Sequence, residues 1–332
     1  MNRRVAGREW CWYARRTPAG CYDGGRVHHV NVSPRFRRGA SAVAAAILAI
    51  LIALTPVRAA DGPGAVAYAA MMKAWQAGKL DDAIKSADAV LKAEPANVAF
   101  LNAIGGLYCE KAQKANVLTK LSWAGKCHST WERAITIDPK NVQTHASLMQ
   151  YYLRAPGIAG GGTDKAKAEA DRMAALDPVA GEISRGHIAR SGKLPAEAER
   201  HYRKAAEIDA TGRRGPVELA SFYAGEKRWS DARGVFEARL TKNPGDSFAA
   251  YMLARLMQAQ GADLPRALDL LDRYLASPAL EGGPTHADAW FRKGQVFDKL
   301  GRRADALAAL ETALKLDPTH ALASRELQKL KG

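Results

Sequence analysis

Aromatic residues are scarce in this chain, 7% of 332, and its 47% apolar content rests mainly on alanine and leucine. Sheet sandwiches draw their cores from β-branched and aromatic side chains, so the shortage argues against them and for closely packed helices. Only four cysteines are present, Cys11, Cys21, Cys109 and Cys127. A small disulfide-dense scaffold is thereby excluded. Catalytic signatures are missing as well: there is no G-x-S-x-G elbow and no H-E-x-x-H pair. His145, His187, His201, His286 and His320 share no spacing that would gather metal ligands on one helical face. Neither an enzyme nor a metal or cofactor is expected.

Negative charge is the other shortage. The formal balance is +15, and residues 1–60 hold ten arginines, no lysine and only two acids, Glu9 and Asp23. About half of the excess therefore sits at the front, and the remainder is not gathered into one block. A phosphate-neutralising footprint needs clustered cations, so no nucleic-acid partner is expected.

No charged residue occurs from Gly39 to Val57. Its apolar core from Ala42 to Leu54 follows Arg35, Arg37 and Arg38, and is followed by Pro56 and Val57-Arg58-Ala59. This is the order of a basic region, an apolar region and a signal-peptidase site, with cleavage after Ala59 or one residue later. Nearly forty residues before the apolar core is long for a secretory signal, and a start near Val30 or Val32 would leave one of ordinary size. Retention as an N-terminal anchor is the alternative, since nineteen uncharged residues at about 1.5 Å each just span hydrocarbon. Either way the bulk of the chain is expected across the membrane from the cytoplasm, in the periplasm or secreted, or held at the inner membrane. Residues 1–59 are set aside as leader.

What the rest has in abundance is periodicity. Trp290, Gly294, Phe297, Gly301, Ala306, Ala313 and Pro318 follow one another at intervals of 4, 3, 4, 5, 7 and 5 residues. Large residues of a first helix would pack on a second, Gly294 and Ala306 would let the backbones approach, Gly301 would make the turn, and Pro318 would end the pair. This unit resembles a tetratricopeptide repeat. Markers of the same kind recur upstream: Gly78, Ala83 and Pro95; Gly186, Ala198, Tyr202 and Ala205; Tyr223, Ala232, Phe236 and Pro244; Leu253, Gly261, Ala267 and Leu271.

Two units depart from the period. Leu101, Ile104, Gly105 and Tyr108 open a repeat closed by Trp131, Ala134 and Pro139, 44 residues after Pro95, which predicts a taller hairpin. The next, closed by Pro178, carries extra residues in Ala155–Ala166. The reading is all-α: a right-handed superhelical solenoid of about seven helix-turn-helix units near 64–97, 98–141, 142–178, 179–212, 213–246, 247–284 and 287–320. A polar capping helix over 322–330 closes the array at 64–331. No stretch is left for a catalytic domain.

Two features could carry more. Gly157, Gly160, Gly161 and Gly162 suggest a phosphate loop, but Thr163 and Asp164 follow instead of Lys then Ser or Thr, so the pattern fails. A structural turn is expected, with Thr163 or Asp164 capping a helix that begins near Lys165. If the ten extra residues of the tall hairpin were shared equally, its turn would centre near Leu118, midway between Cys109 and Cys127. The two would then stand at similar height, either bonded or packed as buried thiols.

The resemblance implies function through a surface. In tetratricopeptide arrays the first helix of each unit lines a concave face, with ligand contacts at its second, fifth, ninth, twelfth and thirteenth positions. Carried onto this chain, these give Tyr68, Trp75, Asn102, Gln150, Arg154, His187, Arg190, Tyr251, Arg255, Gln258, Phe291 and Gln295. Such a groove suits an extended or helical peptide, with aromatics as anchors and arginines selecting carboxylates. The aromatics could equally serve packing between repeats. The expected partner is an envelope protein or peptide, bound by a non-enzymatic scaffold. A membrane-anchored assembly factor, or a carrier of an acidic glycan through Arg154, Arg190 and Arg255, are the alternatives.

Overall fold

A computed structural model describes residues 63–332, which form fifteen α-helices and no strand. The leader and its apolar run lie outside the described residues. Seven consecutive pairs are α1 (Pro63–Gln76) with α2 (Leu80–Ala93), α3 (Val98–Lys114) with α4 (Val117–Ile137), α5 (Val142–Arg154) with α6 (Thr163–Leu176), α7 (Pro178–Ser191) with α8 (Pro195–Ile208), α9 (Arg214–Gly225) with α10 (Trp229–Lys242), α11 (Ser247–Gln260) with α12 (Leu264–Leu275), and α13 (His286–Lys299) with α14 (Arg303–Leu316). The closing helix α15 is Ala321–Lys331. It is one residue longer at each end than the sequence suggests, because His320 Nδ1 caps it by accepting from the Ala323 N–H.

Local chemistry sets these boundaries. Second helices stop where an acid or amide precedes proline: Glu94, Asp138, Asp177, Asn243 and Asp317 take φ between −129° and −149°. A following proline ring forbids the helical conformation there. The next helix starts on a side-chain cap. Asn97, Asn141, Asp177 and Asp246 each accept a backbone N–H three residues on. Within pairs, the turn residue two positions beyond the first helix is left-handed: Gly78, Lys193, Lys227 and Gly301 have φ of 74°, 60°, 61° and 74°.

Close approach explains the small residues. A Cβ on Gly105, Gly186 or Gly294 would lie 2.4, 2.6 or 2.8 Å from Trp131, Tyr202 or Leu310 of the following helix. Each large side chain is buried against the bare backbone it faces. The core is therefore serial: one cluster runs from Met71 to Ile188, a second centres on Tyr202 and Phe222, a third on α11 and α12, and a fourth ties α13 and α14 to Ala323 and Leu330 of the cap.

The second pair is the tall hairpin, with α3 of 17 residues and α4 of 21 where most helices have 14. Its turn lies at Ala115–Asn116 and not near Leu118, so α4 takes more of the extra length. Asn116 fixes this by capping α4 at the Thr119 N–H. Cys109 and Cys127 still meet, bonded as a disulfide with Cα atoms 5.2 Å apart.

The glycine-rich segment is a structural turn. A single 3-10 turn, Gly157–Ala159, leads to Gly160 at φ 86°, and the Gly162 N–H donates to the Tyr152 carbonyl. The next helix begins at Thr163 with Gly162 in the cap position, so neither Thr163 nor Asp164 caps it. A Cβ on Gly161 would fall 1.8 Å from the Ala155 carbonyl oxygen. Gly161 thus packs against the chain just after α5, and the helix opens two residues before Lys165.

Candidate functional site: the concave face

First helices touch first helices of neighbouring pairs, α3 with α5, α5 with α7, α7 with α9, and α11 with α13; second helices make no comparable contact with one another. The first helices thus form the tighter layer, and their outward stripe is the inner face of the solenoid. All twelve residues singled out above lie on these helices. Packing divides them into three groups.

At the N-terminal end most are structural. Tyr68 stacks on Phe100 with ring centres 4.4 Å apart, and Trp75 donates from Nε1 to Glu110 Oε2 at 2.6 Å. Burial raises the Tyr68 hydroxyl above its ordinary value. Asn102 knits three elements: Nδ2 donates to Asn141, Oδ1 accepts from Thr144 Oγ1 at 2.9 Å, and its carbonyl accepts from Trp131 Nε1 at 3.1 Å.

In the middle, a polar chain crosses three units. Gln150 Nε2 lies 3.3 Å from His187 Nδ1, and His187 Nε2 lies 3.3 Å from Glu218 Oε2 on α9. Arg154 and Arg190 flank it, both exposed. Arg190 faces the buried Tyr202 hydroxyl, which burial lifts well above the ordinary phenol value and which has no hydrogen-bond partner among the described residues.

At the C-terminal end, Tyr251 and Phe291 are buried and belong to the stack, Tyr251 against Tyr274 at 5.1 Å and Phe291 against His320 at 5.0 Å. Around them stand Arg255, Gln258, Gln295 and Arg292, whose Nη1 donates to Gln295 Oε1 at 2.9 Å. Burial first, and the charge of Arg292 second, hold the Arg255 guanidinium below the ordinary arginine value.

Glu218 and Arg292 are functional candidates that the sequence reading missed. Each occupies the sixth position of its repeat, counted from residues 213 and 287, one beyond the fifth, and the periodic pattern gives no sign that this position carries a contact. Among the described residues no three His, Cys, Asp or Glu side chains converge as a metal site, and no helix is long and apolar enough to cross a membrane.

A curved double layer of helices whose inner face carries amides, arginines and an imidazole defines the class of helical-repeat solenoids. Its repeats match the tetratricopeptide repeat family over residues 68–111 and 287–320. The chain is a tetratricopeptide-repeat protein. Among solved structures it is similar to yeast Tom70, at 16% identity and a TM-score of 0.51 over 84% of this chain and 58% of that one. It is also similar to a tetratricopeptide repeat protein from Parabacteroides merdae, at 16% identity and 0.44 over 81% and 99%. A third is YrrB, described as having an unusual peptide-binding site, at 18% and 0.36 over 60% and 97%. Among curated proteins, none matches this sequence.

Proposed function

We propose that this protein is a non-enzymatic scaffold of the cell envelope, exported by its basic and apolar leader, that holds a peptide or helix of a partner protein in its concave face. The observation that carries the reading is the inner face itself. Gln150, Arg154, His187, Arg190, Arg255, Gln258 and Gln295 lie on first helices α5, α7, α11 and α13, with Glu218 on the intervening α9. Amides and cations on a preformed wall can pair with a main chain and its side chains along several repeats without ordering the wall again. Support for export is the sequence of residues 35–59, and its retention as an anchor would place the same scaffold at the membrane.

Site-specific photo-crosslinking in cells tests this. A crosslinking residue at Gln150, Arg154 or Gln295 is expected to capture a discrete protein, and one at outward-facing Lys204 or Thr312 is expected to capture none. Equal capture from both faces, or none from the inner one, refutes it. An N-terminal mass measurement on the exported protein decides between a cleaved and a retained leader.

A further inference from the structure

We infer that the projecting tip of the second helix pair is a membrane-surface site: Val117 and Leu118 enter the interfacial region of an anionic bilayer, and the cations of the neighbouring turns face its phosphates. The concave face takes no part in this contact, which is independent of the groove reading.

Consecutive antiparallel helices put the turns inside pairs at one end of the helices and the turns between pairs at the other. Both departures from the repeat period add chain at the first of these ends. Helices α3 and α4 have 17 and 21 residues where α1, α2, α6 and α7 have 14, which carries the turn at Ala115–Asn116 about 5–10 Å past its neighbours. The glycine-rich segment of the third pair rests on α4 and braces it. Tyr151 donates from its hydroxyl to the Ala159 carbonyl at 2.6 Å, and His128 of α4 stacks on Tyr151 with ring centres 4.9 Å apart. With the Cys109–Cys127 bond tying α3 to α4, the tip is a rigid projection.

What it presents is apolar. Leu118 is 91% exposed and Val117 73%, with the exposed Leu121 one turn along the same face. Ile158 of the glycine-rich segment is 77% exposed. A few apolar side chains on a tip are too little for a stable protein interface, which takes about 800 Å² from each partner. They suit insertion into a bilayer surface, where apolar faces sink about 5–10 Å.

The surrounding charge selects the kind of surface. With the residues that bound them, the turns inside the first four pairs hold Lys79, Lys114, Arg154 and Lys193 and no acid, whereas the three turns joining those pairs hold Glu94, Asp138 and Asp177 against Lys140. Glu110 and Asp81 nearby are taken up by Lys114 and Lys111, at 2.7 and 2.6 Å. Lys79, Arg154 and Lys193 have no acid partner among the described residues. Asp82, Asp164 and Glu197 stand in the first turns of second helices, set back from the end, where the helix dipole favours them. Cations within a Debye length of anionic headgroups each strengthen binding. A second copy of this chain would bring the same cations against one another, which argues for lipid over self-association.

The test uses the chain from Ala60, because the apolar leader would enter a bilayer by itself. Every residue of the four core clusters lies within 67–330, so this chain keeps its whole core. In co-sedimentation, phosphatidylcholine vesicles with about 30% phosphatidylglycerol are expected to bind about tenfold tighter than vesicles without it, and less so as salt rises. Val117→Ser/Leu118→Ser and Lys79→Gln/Lys193→Gln should each weaken that binding by about tenfold. All four side chains are exposed, so both variants are expected to melt with the parent.

A second readout locates the contact. Cys109 and Cys127 are bonded, so a polarity-sensitive dye can be placed on one introduced thiol. On Leu118→Cys its emission shifts to the blue with the anionic vesicles; on Ile137→Cys, at the other end of α4 and about 30 Å away, it does not. Vesicle binding that is absent or indifferent to lipid charge overturns the inference, as does an equal blue shift at both positions. Binding that is lost in the lysine variant and intact in Val117→Ser/Leu118→Ser also overturns it, and would make this end a general polyanion site.

Discussion

Replacing Gly105 by alanine tests the packing logic on which every inner-face position depends. The added methyl would lie 2.4 Å from Trp131 Nε1 and 2.6 and 2.7 Å from two ring carbons. Nothing there is a flexible side-chain end. Trp131 is 7% exposed, and its indole N–H is tied to the Asn102 carbonyl at 3.1 Å. Relief requires the indole or the whole of α4 to shift. Overpacking of this kind costs about 1–3 kcal/mol, and a strained indole hydrogen bond adds up to about 1 kcal/mol.

Gly125 supplies the opposite case on the same hairpin. It sits inside α4, exposed, and a Cβ there meets nothing within 4 Å. Gly125→Ala gains helix propensity alone, about 0.5–1 kcal/mol. In thermal melts followed by circular dichroism with the disulfide intact, Gly105→Ala is expected to lower the midpoint by about 4–8 °C and Gly125→Ala to raise it by about 2–4 °C. If Gly105→Ala melts at or above the parent, glycine is not there to admit the indole, and the account of helix approach fails.

The other predictions concern separate devices. Reducing Cys109–Cys127, which closes a loop of 18 residues, is expected to cost about 3 kcal/mol of unfolding free energy and so to lower the denaturant midpoint, and stability indifferent to reductant would show the bond is unimportant. Lys193 and Lys227 hold the left-handed turn position that Gly78 and Gly301 hold in other repeats, so Lys193→Gly and Lys227→Gly should each stabilise by about 0.5–1 kcal/mol; a loss in both would refute the strain argument. Glu199 is pulled from its ordinary 4.5 to about 2, first by the hydrogen bond from Arg228, with Arg203 and Tyr223 helping. Its stabilising effect is complete above 4.5 and disappears as pH falls toward about 2. Glu199→Gln should therefore be less stable than the parent at neutral pH and equal to it below about 2, and a difference independent of pH would exclude this carboxylate as the source.

The sequence alone settled the all-helical repeat class, because the information is local. Spaced Gly, Ala, aromatic and Pro residues carry helix approach, turn and stop within each unit. The tall hairpin was legible as ten surplus residues between Pro95 and Pro139. Its turn was not, because a single Asn116 cap outweighs equal division of the length.

Tertiary structure decided which marked positions remain for a partner. Tyr68, Trp75 and Asn102 satisfy the expected helical register, yet neighbouring repeats consume them in stacking and hydrogen bonds, while Tyr251 is taken up by Tyr274 of its own pair and Phe291 by His320 at the end of its own repeat. Glu218 comes into play only because the preceding unit sets His187 against it, a property of the stack that no single repeat encodes. Whether a polar side chain stays available depends on what the adjacent unit places against it. That is why the fold could be read one repeat at a time and the surface could not.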